Sequence, residues 1–188
     1  MHIAVLTGDL IGSTELSADQ ISTAFTAIEA AAPISRNRGD GWQLLLTQPA
    51  TALRTALRIR AALRRHDLTT RIAIASGVST APIPKDLNEA TGPVFVASGR
   101  ALDAMSKGTT LAHAAGGALA ATTRLADHIS TGWTQPQAAA MHLALSPDAP
   151  TRAEIGAALG KSRQAVDQAL AAAGYPALSD ALRLIEHE

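Results

Sequence analysis

Apolar positions follow two different spacings along the first 77 residues. Short apolar runs at residues 2–7, 42–46 and 71–77 predict strands, whereas apolar positions at helical spacing over residues 17–31 and 50–66 predict amphipathic helices. The Gly-Asp pair at 39–40, between Ile34 and the run 42–46, predicts a hairpin. The predicted order is therefore β-α-β-β-α-β, which is typical of a ferredoxin-like or palm sheet with helices on one face.

Beyond this segment the pattern predicts a helix that ends near residue 105, a strand at 109–113 and a helix at 116–128. The composition then shifts over Ser130–Pro136, where we place a domain boundary. A helix at 136–145 and three further helical segments follow. The sequence thus predicts an α/β (α+β) domain at residues 1–130 and an all-α domain at residues 131–188.

Composition narrows the class of protein. The 188 residues carry no formal net charge, 47% are apolar and 17% are charged, which excludes a largely disordered chain. No apolar run approaches the roughly 20 residues that span a bilayer, and Asp9 interrupts what would be the apolar region of a signal peptide. The absence of cysteine excludes a disulfide scaffold and a thiolate zinc site. We therefore expect a cytoplasmic protein that does not enter a membrane.

Residues 151–174 have the spacing of a helix-turn-helix. That motif needs a small residue where its two helices cross and a glycine in the left-handed turn, and these are Gly156 and Gly160. Ser162 is placed to cap the second helix. The inward positions are apolar: Ile155, Leu159, Val166 and Leu170.

The second of these helices carries side chains suited to DNA. The outward positions are Arg163, Gln164, Asp167 and Gln168. Arginine and glutamine can contact base edges, while Lys161 and Arg152 suit phosphates. Residues 133–188 nevertheless hold four Lys/Arg against six Asp/Glu, whereas DNA-binding proteins are usually basic. DNA binding would therefore depend on a dimer. The alternative to a DNA-binding motif is a helical hairpin that contacts another protein.

Two carboxylates mark the N-terminal domain. Asp9 directly follows a buried strand and Asp40 lies at the hairpin tip, and these elements are neighbours in a palm-type sheet. Two nearby carboxylates repel unless a cation separates them, and oxygen ligands suit Mg²⁺ or Mn²⁺. Gly12, Ser13 and Thr14 would present backbone N–H groups to a phosphate. The alternative is that both acids are ordinary turn residues.

Four motifs resemble those of class III nucleotidyl cyclases. Residues 9–14, Asp-Leu-Ile-Gly-Ser-Thr, resemble the first-strand signature, and residues 39–43 are similar to the Gly-Asp-Gly hairpin. Residues 71–77 resemble the next strand, and residues 92–100 keep a spacing of eight between a glycine and an arginine. With the helix-turn-helix appended, the whole arrangement resembles the bacterial SatD family.

The resemblance implies roles for individual residues. The metal ligands would be Asp9, Asp40 and the Leu10 carbonyl. The phosphate would be bound by Arg100 and by the amides of Gly12, Ser13 and Thr14. The positions that contact the base would be Arg36 and Glu89. Cyclases carry an asparagine that stabilises the transition state where this chain has Val96. The resemblance also implies a homodimer with site groups from both subunits.

Arginines crowd the predicted helix at 50–66, and such a run is typical of the solvated side of an amphipathic helix. A face that binds an anionic ligand is the alternative for these residues: Arg54, Arg58, Arg60, Arg64, Arg65 and His66. Trp133 is expected to pack the linker onto the helical module. Taken together, the sequence predicts a two-domain regulator that binds a nucleotide or phosphate ligand with a divalent metal and binds DNA. An active nucleotidyl cyclase or nucleotidyltransferase and an inactive dimerisation or protein-interaction platform are the alternatives, and no catalytic residue is assigned.

Overall fold

The computed structural model describes residues 1–37, 39–80, 82–84 and 86–187. Its strands are β1 (His2–Leu10), β2 (Ser35–Arg36), β3 (Gly41–Leu46), β4 (Thr70–Val78) and β5 (Leu111–His113). Its helices are α1 (Ala18–Ala31), α2 (Ala52–Arg64), α3 (Pro93–Asp103), α4 (Gly117–Thr131), α5 (Gln135–Ala144), α6 (Arg152–Leu159), α7 (Arg163–Ala172) and α8 (Tyr175–Glu186). No helix in the described ranges is both long and apolar enough to cross a membrane.

The strands form one mixed sheet in the order β2-β3-β1-β4-β5. β1 pairs antiparallel with β3 and with β4, while β5 adds to β4 in parallel. The predicted element order over the first 77 residues is confirmed, although β1 continues three residues beyond the predicted end. The chain is a mixed α/β protein.

Alternate residues of β1 serve two layers. Leu6 belongs to the larger core, together with α1 and α2, whereas Ile3 and Val5 pack with Val94 and Phe95 of α3. A sheet with both faces covered needs apolar residues at consecutive strand positions, which explains the uninterrupted apolar run of β1.

The C-terminal helices join the larger core. Buried residues of α5–α8, among them Met141 and Leu170, belong to the same apolar cluster as Ile28 of α1 and Leu57 of α2. Trp133 is buried between the two parts of the chain, and its indole Nε1 donates to the Ala173 carbonyl at 2.9 Å, as the sequence predicts. Helix α2 is therefore covered on one side by the sheet and on the other by the C-terminal segment.

The expectation that the arginines of α2 form a solvated face is wrong for four of them. Each turns its guanidinium towards a partner remote in sequence, because α2 lies at the centre of the molecule rather than on its surface. The partners are Glu186 for Arg54, the Ala31 carbonyl for Arg58, Asp127 for Arg60 and the Trp133 carbonyl for Arg64. These bonds attach α1, α4 and the C-terminal helices to α2.

Candidate functional site

The end of β1 brings the two predicted metal ligands onto neighbouring backbones. Asp9 is the register partner of Gly41 in β3, and the Leu10 N–H donates to the Asp40 carbonyl at 3.3 Å. On its other side Asp9 pairs with Arg71, the second residue of β4. Two acids and one arginine thus meet where β1 leaves the sheet.

Arg71 forms an ion pair with the carboxylate of Asp9. Its Nε donates to Asp9 Oδ1 at 2.9 Å and its Nη2 donates to Oδ2, so both carboxylate oxygens are engaged. The hydrogen bonds that Arg71 donates to Asp9 raise the pKa of Arg71, and the negative charges of Asp9, Asp103 and Asp40 act in the same direction. Sequence reasoning missed Arg71 as a site residue, although a charged side chain at the start of the apolar strand 71–75 is a usable signal.

The oxygen ligands at this edge match the chemistry of Mg²⁺ or Mn²⁺, and one of them, the Asp9 carboxylate, is already paired with Arg71. Asp9, Asp40 and the Leu10 carbonyl are hard oxygen ligands, which these ions prefer. Because Arg71 already engages both oxygens of the Asp9 carboxylate, an ion that binds Asp9 would compete with the guanidinium. Within the described residues no group of three or more His, Asp or Glu side chains is arranged to hold a metal.

The segment after β1 forms a tight turn beside Asp9. Gly12 adopts a left-handed conformation with φ 70°, and Ser13–Glu15 form one 3-10 turn in which the Glu15 N–H donates to the Gly12 carbonyl at 2.9 Å. Gly12 and Thr14 are exposed. The predicted phosphate-binding amides therefore lie at the same end of β1 as Asp9.

Helix α3 crosses β1 and ends near this site. The hydroxyls of Thr7 and Ser98 hydrogen-bond at 2.8 Å, which fixes the helix on the strand. Arg100 and Val96, four residues apart, are exposed on one helix face, and Val96 is 49% exposed. Asp103 at the end of the helix is close enough to act on the charge of Arg71.

Arg36 and Glu89, the predicted base-reading residues, lie at the β2 edge of the sheet. The Arg36 guanidinium stacks 4.1 Å from the centroid of the Phe25 ring and its Nε donates to Glu29 at 3.0 Å, so it is turned towards α1. Glu89 is exposed in a turn that docks on β2, where Asn88 Nδ2 donates to the Arg36 carbonyl at 3.0 Å. The structure does not bring the Arg36 side chain together with Asp9.

Helices α6 and α7 cross at a tight turn. Gly160 ends α6 with φ 64°, and a Cβ on Gly156 would lie 2.6 Å from the Lys161 carbonyl oxygen, so the crossing requires glycine. The Thr151 hydroxyl caps α6 and the Ser162 hydroxyl caps α7 by accepting the Ala165 N–H at 3.1 Å. Ile155, Val166 and Leu170 are buried inside this pair.

The outer face of α7 is polar and open. It carries the predicted base-contacting residues Arg163, Gln164 and Gln168, which are all exposed. Lys161, predicted to contact phosphate, is exposed in the turn before α7. Asp167 lies on the same face, with its carboxylate oxygens 3.6 Å from Arg152 Nε and 3.7 Å from Arg163 Nε. One carboxylate thus partly offsets both cations.

The chain matches no known protein-family model, and no curated protein is significantly similar to it.

Proposed function

We propose that this protein is a DNA-binding regulator in which α6 and α7 form a helix-turn-helix. The observation that carries the proposal is the exposed polar face of α7 behind a glycine-locked turn, with Arg163 and Gln164 in the first turn of the helix and Gln168 one turn later. Arginine pairs with guanine and glutamine with adenine in the major groove, and the first turns of a recognition helix reach the base edges.

The charges of this face favour binding as a homodimer. Asp167 offsets part of the attraction of Arg152 and Arg163 for phosphates, so a single copy would bind weakly. Two copies present two reading helices, which need half-sites about 34 Å apart. Light scattering at micromolar concentration should therefore report a dimer, and a clean monomer with and without ligand would contradict this part of the proposal.

The α/β part would supply the ligand-binding function. The order β4-β1-β3-β2, all antiparallel, with α1 and α2 on one face, supports a ferredoxin-like, cyclase-type palm. Asp9 and Asp40 would bind a divalent metal and the amides of Gly12–Thr14 a phosphate, while a bound metal would neutralise phosphate charge. Arg71, released from Asp9 by the metal, would remain beside the ligand as a second positive charge.

Binding without efficient cyclisation is the preferred form of this proposal. Val96 presents an apolar side chain at the position where cyclases use an asparagine, and loss of a preorganised donor costs on the order of 10²–10³ in rate. A sensor of a nucleotide or related phosphate, rather than a nucleotidyl cyclase, fits that substitution.

DNA binding is tested with genomic fragments captured on purified protein at low salt. We expect selective retention of a few sequences, and Arg163→Ala should weaken binding to them by about 1–3 kcal/mol. Arg183→Ala is the matched control, because Arg183 is an exposed arginine on α8 that pairs with Asp180 and lies outside α7. No selective retention, or equal losses in the two variants, would assign the helical pair to protein contact.

Ligand binding is tested by thermal unfolding with nucleoside triphosphates and cyclic nucleotides, each with and without Mn²⁺. A metal-dependent rise in melting temperature is expected for at least one nucleotide. Asp40→Asn should abolish it, whereas Asp148→Asn, an exposed acid in the turn before α6, should not. A shift that is the same in both variants would remove Asp40 from the site.

A further inference from the structure

A cavity of about 240 Å³ lies where α2, the first residues of β4 and the end of α4 meet. Its wall carries two guanidinium groups, Arg60 and Arg64, and hydroxyl side chains that include Thr69, Thr110 and Thr131. Ligand pockets are usually apolar with a few polar groups. This cavity follows that pattern, because apolar atoms, among them those of Ile11 and Leu68, form most of its surface. The two guanidinium groups among its few polar groups indicate an anionic ligand.

The two arginines retain donor capacity at this wall. Arg60 donates through Nη1 to Asp127 at 2.6 Å and through Nη2 to Thr131 at 2.9 Å. Arg64 donates through Nε to the Trp133 carbonyl at 2.8 Å and through Nη1 to Asp67 at 3.3 Å. Since a guanidinium carries five N–H groups, these four bonds use fewer than half of the ten donors.

Positive charge is in excess around the cavity. Asp127 is fully buried, and its single negative charge is shared between Arg60 and Arg124, whose Nη1 lies 2.8 Å from Oδ2. Asp67 offsets Arg64 only weakly, because its side chain is 72% exposed. An anion in the cavity would balance the remaining charge.

Three hydroxyl groups at the wall have already used their hydrogens. Thr110 Oγ1 donates to Asp127 at 2.7 Å, Ser130 Oγ to the Ala126 carbonyl at 2.6 Å, and Thr131 Oγ1 to the Asp127 carbonyl at 2.8 Å. Each of these oxygens keeps acceptor capacity, although Thr131 Oγ1 already accepts one hydrogen bond from Arg60 Nη2 at 2.9 Å. A ligand that complements both sets of groups has an anionic oxygen cluster and hydroxyl hydrogens of its own.

We propose that this cavity binds a small sugar phosphate or a similar phosphorylated polyol, with the phosphate on Arg60 and Arg64 and its hydroxyls on the threonine and serine oxygens. The volume lies below the roughly 300–1,000 Å³ of pockets for drug-sized molecules, which restricts the ligand to a single sugar unit or less.

This site is separate from the proposed metal site, although the two share a strand end. The Thr70 hydroxyl donates to the Asp9 carbonyl at 2.6 Å, and the Ile11 N–H donates to the Thr69 carbonyl at 3.0 Å. The cavity reaches α4 and, through Arg64, the backbone of Trp133. Ligand bound here would contact both the sheet and the segment that leads into the C-terminal helices.

The test is titration calorimetry on the full chain with ribose 5-phosphate, inorganic phosphate and ribose, all in a metal chelator so that no divalent ion contributes. We expect saturable binding of ribose 5-phosphate that is at least about tenfold tighter than that of phosphate or ribose alone. No saturable binding of ribose 5-phosphate up to about 10 mM would overturn the proposal, and equal affinity for inorganic phosphate would overturn the sugar-phosphate class.

Variants assign the binding to this cavity. Arg64→Gln should weaken ribose 5-phosphate binding about tenfold or more, whereas Arg65→Gln, the neighbouring arginine outside the cavity wall, should leave it unchanged. If Arg64→Gln does not fold, Thr69→Val tests the site instead, because Thr69 is exposed. A small loss of ribose 5-phosphate affinity is expected for Thr69→Val. Asp40→Asn should bind ribose 5-phosphate as tightly as the unaltered protein does, which separates this site from the proposed nucleotide site. Weaker ribose 5-phosphate binding in Asp40→Asn would refute the assignment. Unchanged binding in both Arg64→Gln and Thr69→Val would refute it as well.

Discussion

Replacement of Asp127 by alanine should be among the most damaging single substitutions in this protein. Asp127 is fully buried and accepts hydrogen bonds from Arg60, Arg124 and both the N–H and the hydroxyl of Thr110. The substitution removes the acceptor and leaves the guanidinium of Arg60, only 9% exposed, without its charge partner.

The expected cost follows from what remains buried. Removing one partner of a buried ion pair costs about 3–5 kcal/mol, because the other charge stays uncompensated out of water. Arg124→Ala breaks a bond to the same carboxylate, but its side chain is 56% exposed, so its loss should cost at most about 1 kcal/mol. We therefore expect the two variants to differ by at least about 2 kcal/mol in the free energy of unfolding.

Urea unfolding followed by tryptophan fluorescence measures this difference, since Trp42 and Trp133 are both buried in the folded protein. With slopes of about 1–3 kcal/mol per molar, Asp127→Ala should lower the midpoint by at least about 1 M. Replacing both partners, Arg60→Met with Asp127→Leu, should recover part of the loss because no buried charge remains. Equal midpoints for Asp127→Ala and Arg124→Ala would refute the reasoning.

Three further substitutions test other parts of the structure. Burial lowers the pKa of His142 from its ordinary 6.5 to about 4, so between these pH values the unfolded chain binds a proton that the folded chain does not. The free energy of unfolding should therefore fall as the pH drops from 6.5 towards 4, and in urea titrations His142→Met should reduce the loss between pH 7 and pH 4.5 by about 2 kcal/mol. Gly8→Ala would place a Cβ 2.4 Å from the Trp42 ring, so the free energy of unfolding should fall by about 1–3 kcal/mol and the tryptophan emission should change. Unchanged stability and emission would contradict this close contact. Gly156→Ala would bring a Cβ to 2.6 Å from the Lys161 carbonyl, and its loss of DNA affinity should exceed its loss of overall stability if α6 and α7 read DNA as a rigid pair.

Local patterns were sufficient to predict the elements of this fold. Strands β1 and β4 are apolar runs bounded by glycines and polar residues, and α1 begins at Ser17 with a capping box whose two hydrogen bonds are both present. The turn at Gly160 likewise depends on one residue and its nearest neighbours. Such features are decided within a few positions of the chain, where sequence spacing and spatial distance agree.

The orientation of charged side chains was not predictable in this way. Arg54 bonds Glu186, 132 residues away, and the Arg36 side chain turns towards Glu29 and Phe25 of α1. The pairing of Asp9 with Arg71 depends on the register of β1 against β4. Each case depends on which element lies opposite, and a single sequence carries little information about that.

The central position of α2 has a consequence for synthesis of the chain. Arg54, Arg60 and the outer apolar side of α2 are completed by α4, α5 and α8, so they remain uncovered on the ribosome until residues 117–186 have emerged. Contacts between segments so distant in sequence form late and slowly. A nascent chain that stops near residue 110 would therefore expose apolar surface and unpaired guanidinium groups together, which favours chaperone capture or aggregation over autonomous folding.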